Sequence, residues 1–207
     1  PRPVCALGTD TRPTGPALAS VLAGVLAARG VEVRYLAALP APEIMAYVRQ
    51  SREVSAFFYV TASHNPVGHN GFKFGLADGG VLGGEKAAGL IAAFRKICRN
   101  SERLSAALDL AGNGEKTPTG LDDYRLAARA AYTALTREVV SGSSAEDEQT
   151  GFFSALRRSS GTIAALADFN GSARALSIDR EILSEAGVDL YCMNDTPGRI
   201  AHRIVPE

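Results

Sequence analysis

Apolar residues in the first 60 positions form short runs that alternate with segments of helical spacing. The segments at residues 4–7, 31–36 and 54–60 are typical of strands, and the first and third are apolar enough to be buried. Between them, apolar residues recur at helical spacing over residues 18–26, and residues 42–50 predict a second, shorter helix. Strand–helix–strand order, given twice, predicts an α/β fold with a mainly parallel mixed sheet sandwiched by helices.

The rest of the chain predicts further helices and a second α/β unit. Residues 86–98 and 122–140 have helical patterns, and the segment at 109–120, rich in Gly, Pro and polar residues, predicts a domain boundary. Residues 141–149 are polar and acidic and predict a loop. We therefore expect one domain at residues 1–115 and a second, partial α/β unit at 116–207.

That second unit is predicted from a β-turn-α-β pattern. An apolar run at 163–169 leads into Asn170-Gly171, then a helix to Ala186, then another apolar run at 188–193. Asn-Gly is a turn-forming pair, so the first run ends there.

Composition narrows the class of partner. The 22 basic and 22 acidic residues cancel, which argues against a nucleic-acid-coating protein or one that binds acidic membranes. The longest apolar stretch, residues 17–28, is shorter than the roughly 20 residues that a membrane span needs. The 3 cysteines form no CxxC pair, which favours reduced thiols and a cytoplasmic location.

The candidate chemistry follows the third predicted strand. It leads into the polar segment TASHNP at residues 61–66, and ligands of open α/β sheets bind at that carboxyl edge. Ser63 is therefore a candidate nucleophile or phosphorylation site, although an ordinary loop serine would give the same pattern. Adjacent side chains point to opposite sides, so His64 is poorly placed as a protease-type base for Ser63. No GxSxG elbow is present, which leaves a serine hydrolase poorly supported.

Two basic residues are predicted at the same edge. If residues 72–74 form a strand, Phe72 and Phe74 pack inward and Lys73 points towards the serine loop, where it could bind phosphate or pass on a proton. Arg12 follows the first strand and could stabilise a phosphate, but a buried ion pair with Asp10 explains it equally well.

The motifs resemble those of a known family. TASHNP followed by NGFK at residues 70–73 is similar to the active-site motif of the α-D-phosphohexomutase superfamily, the phosphoglucomutases and phosphomannomutases. GTDTRPTG at residues 8–15 resembles the opening of that family's first helix. DFNGSA at residues 168–173 resembles the start of its second domain.

The resemblance implies a role for each matched residue. Ser63 would carry the transferable phosphoryl group and, through that phosphate, bind Mg²⁺. His64 and Lys73 would assist proton transfer and contact the phosphoryl group or sugar. Arg12 and Asn65 would bind substrate, although Asn65 also fits a residue that shapes the loop.

The resemblance also has gaps. Family members have four domains, and the D-x-D-x-D-R loop that holds their Mg²⁺ has no match in this sequence. We therefore expect the chain to be a fragment or truncated homologue that is inactive alone, with the remaining metal ligands downstream. Residues 158–162 resemble the family's phosphate loop, but a basic turn entering a strand is the favoured interpretation.

The predicted parent enzyme is an isomerase acting on hexose phosphates. Phosphorylated Ser63 would donate its phosphoryl group, giving a hexose bisphosphate intermediate that returns its other phosphate to Ser63. A phosphoglucosamine mutase is the alternative, although such enzymes more often have Ser where this chain has Thr61. A non-catalytic phosphosugar-binding or regulatory module is the alternative from another class.

Overall fold

The computed structural model describes residues 2–63, 65–113, 121–159, 161 and 163–202. The strands in this part of the chain are β1 (Val4–Thr9), β2 (Glu32–Ala38), β3 (Val54–Val60), β4 (Phe72–Leu76), β5 (Ile163–Asp168) and β6 (Val188–Met193). The α-helices are α1 (Gly15–Ala28), α2 (Ala41–Gln50), α3 (Gly84–Cys98), α4 (Ser101–Asn113), α5 (Leu121–Ser141), α6 (Glu146–Ser159) and α7 (Asp179–Glu185), and Ala173–Leu176 form a 3₁₀ turn.

The first sheet has the strand order β2-β1-β3-β4. β1 is parallel to both β2 and β3, whereas β4 is antiparallel to β3. The prediction of a mainly parallel mixed sheet is thus confirmed. Because β1 and β3 run in the same direction, the residues that follow Thr9 and Val60 emerge at one edge, where the Asp10 N–H donates to the Val60 carbonyl (3.0 Å).

Both faces of this sheet are covered by helices. β1 is buried along its whole length. On one face, Leu36, Ile44 and Phe57 pack with residues of α2 and α5, and on the other Leu7 and Val60 pack with α1. The core therefore lies on both faces of the sheet and supports the edge at which β1 and β3 end.

Helix α3 has an uncovered apolar side. Leu90, Ile91, Phe94 and Ile97 recur at helical spacing, and each is exposed. No residue of α3 is buried.

Two predicted loops are shorter than expected. The acidic segment predicted as a loop at 141–149 belongs partly to α6, which begins at Glu146 and has acidic side chains throughout its first turn. Negative charges there are stabilised by the positive end of the helix dipole, so the acidic run favours the helix rather than opposing it. Likewise α4 extends to Asn113, so the predicted boundary segment is helical at its start. The predicted domain boundary itself, between residues 115 and 116, lies outside the described residues.

The second unit is a parallel pair, β5 and β6, in register from Ile163↔Val188 to Asp168↔Met193. Its connection is the predicted turn, with Asn170 (φ 45°) and Gly171 (φ 66°) both left-handed, followed by the 3₁₀ turn and the short α7. No helix among the described residues is long and apolar enough to cross a membrane.

Candidate functional site

The serine loop, residues 61–71, connects β3 to β4. The Thr61 N–H donates to the Gly71 carbonyl (3.0 Å), which closes the base of the loop. Ser63 is exposed, and its N–H donates to Thr61 Oγ1 (3.1 Å). Its backbone is left-handed (φ 53°), a conformation that costs a non-glycine residue about 1–2 kcal/mol. Strain of this kind is typical of functional positions, where the surrounding structure must impose it.

Arg12 is the residue that holds the serine loop in shape. Its side chain is only 7% exposed, and its guanidinium donates to backbone carbonyls of the loop. Nη1 donates to Pro66 (2.5 Å) and His69 (3.2 Å), and Nη2 donates to Ser63 (2.9 Å) and Asn65 (2.7 Å). A planar guanidinium suits this role because its donors diverge within one plane.

Asp10 completes this arrangement beneath the loop. Its Oδ2 accepts from Arg12 Nε (3.1 Å) and from Thr61 Oγ1 (2.7 Å), and its Oδ1 accepts from the Arg12 backbone N–H (2.9 Å). Every N–H group of the Arg12 guanidinium therefore has an acceptor within the protein. These contacts favour the buried ion pair over direct phosphate binding, so Arg12 acts on the site by shaping the loop.

The predicted proximity of Arg12 and Ser63 at one sheet edge is confirmed by their hydrogen bond. A further contact anchors the far side of the loop, where Asn70 Nδ2 donates to Thr14 Oγ1 at the start of α1 (2.6 Å). Ser63 and Asn65 both line the cleft described below. His64 lies outside the described residues.

Lys73 lies in β4, in register with Tyr59 of β3. It is half-buried and is not among the described residues that line the cleft. The prediction that Phe72 packs inward is wrong: its side chain is 46% exposed and stacks on Phe74, whose ring in turn meets Phe58 edge-on. The role of Lys73 in phosphoryl transfer stays a prediction.

A cleft of about 800 Å³ lies between the serine loop and the second unit. A space of that size accommodates a small polar ligand. One wall consists of residues that follow β1, β2 and β3, including Asp10, Ser63 and Asn65. The opposite wall is formed by residues of the second unit: Asn170, Ser172, Ala173, Arg174, Gly198, Ile200 and His202.

Two hydrogen bonds join the first part of the chain to the second unit. Thr11 Oγ1 donates to the Gly171 carbonyl (2.8 Å), and Ser177 Oγ donates to Glu43 Oε1 (2.6 Å). Glu43 is only 2% exposed, and this burial raises the pKa of its carboxyl group, although the Ser177 hydroxyl opposes the shift. The contact between the first sheet's α2 and the second unit therefore includes a buried, titratable carboxyl group.

The second wall contains a polar cluster that sequence reasoning missed. His202 Nε2 lies 2.7 Å from Asp168 Oδ2, and Asn194 Nδ2 donates to both oxygens of Asp168 (3.1 Å each). The Asn194 amide and the backbone N–H of Asn170 lower the pKa of the Asp168 carboxyl group. The motif at residues 168–173 indicated the turn, but no spacing rule relates it to a histidine that comes 34 positions later.

The described residues do not provide a metal-binding set. Within the described ranges, no three His, Cys, Asp or Glu side chains are grouped as metal ligands. Asp10, the carboxylate beneath Ser63, already accepts three hydrogen bonds. The prediction of Mg²⁺ binding therefore rests on the resemblance alone.

Fold and site together define an α/β domain with an exposed serine in the loop at the carboxyl edge of its sheet. Residues 2–100 match the family model described as phosphoglucomutase/phosphomannomutase, alpha/beta/alpha domain I. This part of the chain thus belongs to the α-D-phosphohexomutase superfamily.

Curated relatives agree with this assignment. Phosphoglucosamine mutase of Burkholderia ambifaria is 38% identical over 108 residues, covering 51% of this chain and 24% of the relative. The Legionella pneumophila (strain Corby) phosphoglucosamine mutase is 45% identical over 76 residues, or 37% of this chain and 16% of the relative. The matched segments thus span about a quarter or less of the length of these relatives.

The fold of both units has a counterpart in a solved structure. A phosphoglucomutase/phosphomannomutase family protein from Burkholderia thailandensis aligns with 97% of this chain and 38% of its own, with a TM-score of 0.57 and 18% identity. At that identity the likeness concerns the fold alone.

Proposed function

We propose that this chain carries the phosphoryl-transferring serine of a phosphohexomutase, an isomerase of hexose phosphates. The observation that carries the proposal is the conformation of Ser63. It is exposed and left-handed at the end of a buried strand, and the carbonyl groups around it are held by Arg12. A serine that only followed a strand would not need the costly left-handed conformation, which the surrounding contacts must impose.

In the proposed reaction, phosphorylated Ser63 transfers its phosphoryl group to a hydroxyl group of a hexose phosphate. The hydroxyl oxygen forms a bond to phosphorus while the bond from Ser63 Oγ to phosphorus breaks, and the hydroxyl proton finally resides on Ser63 Oγ. The product is a hexose bisphosphate, which reorients and returns its other phosphoryl group to Ser63. Phosphoryl transfer depends mainly on alignment and charge stabilisation, so a preset serine loop serves it directly.

The other predicted site residues keep the roles that the resemblance implies. His64 and Lys73 would assist proton transfer, and Asn65, which lines the cleft, would contact substrate. Arg12 would act through the loop, since its donors are already used. Mg²⁺, if bound through the phosphate on Ser63, would offset negative charge in the transition state.

The substrate class favoured by the comparisons is an amino-hexose phosphate. The relatives from Burkholderia ambifaria and Legionella pneumophila are both named phosphoglucosamine mutases. Thr61 occupies the position at which such enzymes more often have serine. Its hydroxyl donates to Asp10, a contact that serine could also make. Threonine at position 61 is therefore compatible with a glucosamine phosphate substrate.

Phosphate mapping in the complete enzyme tests the proposal. Intact-mass and peptide analysis should find one phosphate, on Ser63. Ser63→Ala should abolish turnover of glucosamine, glucose and mannose phosphates while the fold is kept, because an exposed loop side chain contributes little packing. Ser105→Ala, on the exposed side of α4, is the matched control and should retain full activity. Near-normal turnover by Ser63→Ala would contradict the phosphoserine mechanism.

A further inference from the structure

The wall opposite Ser63 carries an imidazole backed by a carboxylate. His202 lines the cleft with 64% of its side chain exposed, and its Nε2 lies 2.7 Å from Asp168 Oδ2. Asn194 holds both oxygens of that carboxylate (3.1 Å each), so the acceptor is itself oriented. The imidazole therefore lines the cleft, is largely exposed there and has an oriented carboxylate as its partner.

The carboxylate determines which ring nitrogen carries the proton. An ionised carboxylate can only accept, so Nε2 is the donor and Nδ1 of the neutral ring keeps its lone pair. Among the described residues, Nδ1 has no hydrogen-bond partner. In this tautomer Nδ1 is thus an available acceptor on a side chain that lines the second wall.

The backbone around His202 is equally constrained. The N–H groups of Ala201 and His202 both donate to Asn170 Oδ1 (2.9 and 2.7 Å), and Asn170 Nδ2 donates to the His202 carbonyl (3.0 Å). Asn170 adjoins Gly171, whose carbonyl accepts from Thr11 of the first unit. This chain of contacts connects the imidazole to the wall that contains Ser63.

We propose that His202 Nδ1 accepts a hydrogen bond from a hydroxyl group of a sugar whose phosphate lies at Ser63, an inference that rests on the proposed function. The lone pair on Nδ1 can bind only a hydrogen-bond donor of the ligand. The doubly ionised phosphate of a sugar phosphate has only acceptor oxygens, so Nδ1 discriminates against that group and favours a sugar hydroxyl. His202 is then a substrate-binding residue of the second unit, and Asp168 is a positioning residue that acts through it.

Ligand titration of the full chain, labelled with ¹⁵N in its imidazole rings, tests this assignment. Glucose 1-phosphate should shift the Nδ1 resonance of His202, and sulfate, whose oxygens can only accept, should not. His202→Ala should weaken glucose 1-phosphate binding about tenfold, the loss of one hydrogen bond, and leave the affinity for sulfate unchanged. Asp168→Asn should weaken sugar phosphate binding by a smaller factor. Its matched control, Asp189→Asn on the exposed side of β6, should have no effect.

The outcomes separate this inference from the proposed function. Unchanged glucose 1-phosphate affinity in His202→Ala overturns the inference and leaves the serine mechanism standing. An equal loss of affinity for both ligands also overturns it, because His202 would then act on the shape of the wall. If the unaltered chain binds neither ligand, the proposed function is contradicted and the inference with it.

Discussion

Replacing Arg12 with lysine tests whether the serine loop depends on the geometry of a guanidinium. The substitution keeps the positive charge and most of the side-chain length. It removes the planar set of donors that reaches Asp10 and the four loop carbonyls. A single ammonium group has three donors on one atom, so it cannot reach acceptors spread around the guanidinium plane.

The expected loss follows from the contacts. Three donors cannot make five contacts, so at least two of the contacts to Asp10 and the carbonyls must be lost, and each net hydrogen bond contributes about 1 kcal/mol. The four residues that supply these carbonyls are exposed, so water can hydrate the released groups and the full cost of burial does not apply. We therefore expect Arg12→Lys to lower the free energy of unfolding by about 2 kcal/mol, with the loop losing most of its order.

Urea denaturation and amide hydrogen exchange measure these two effects separately. Loop amides at Thr61 and Asn65, which donate to Gly71 and Ala62, should exchange faster by more than the global change in stability explains. Arg95→Lys, on exposed α3, is the control and should change neither quantity. Unaltered loop protection in Arg12→Lys, together with unaltered stability, would refute the assignment of Arg12 as the residue that holds the loop.

Two further predictions concern stability. Gly75→Ala would place a methyl carbon 1.9 Å from the Phe57 ring, so thermal unfolding should show that the free energy of unfolding falls by about 3 kcal/mol. Gly89→Ala, in open space on α3, should raise the free energy of unfolding by about 1 kcal/mol. Equal values for the two variants would show that β4 does not pack as described. Because the pKa of Glu43 is raised above its ordinary 4.5, its contribution to stability is complete below that value and is lost as pH rises through the folded-state pKa. Glu43→Gln, which can still accept from Ser177, should remove this part of the pH dependence from urea midpoints; a pH profile identical to that of the unaltered chain would rule out Glu43 as its source.

Elements built from local patterns were predictable from the sequence. β3 and β6 have the predicted bounds, because short runs rich in apolar and β-branched or aromatic residues, bounded by polar residues or glycine, favour strands at these lengths. The left-handed turn at Asn170 and Gly171 was signalled in the same way, by residues that tolerate positive φ. Where charge and helix propensity competed, as at the start of α6, composition misled: the acidic residues stabilise a helix end and do not form a loop.

The position of Ser63 at the end of a buried strand was determined by the sequence alone, since the strand and the polar run after it are adjacent in the chain. What only the tertiary structure decided is what surrounds that serine. Arg12 reaches carbonyls more than 50 positions away, Thr11 reaches Gly171 across 160, and His202 meets Asp168 across 34. No periodicity encodes such distances, because they depend on how sheet, helices and turns pack. The sequence thus predicts the position of Ser63 at the carboxyl edge of the sheet, and packing determines which side chains lie across the cleft from it.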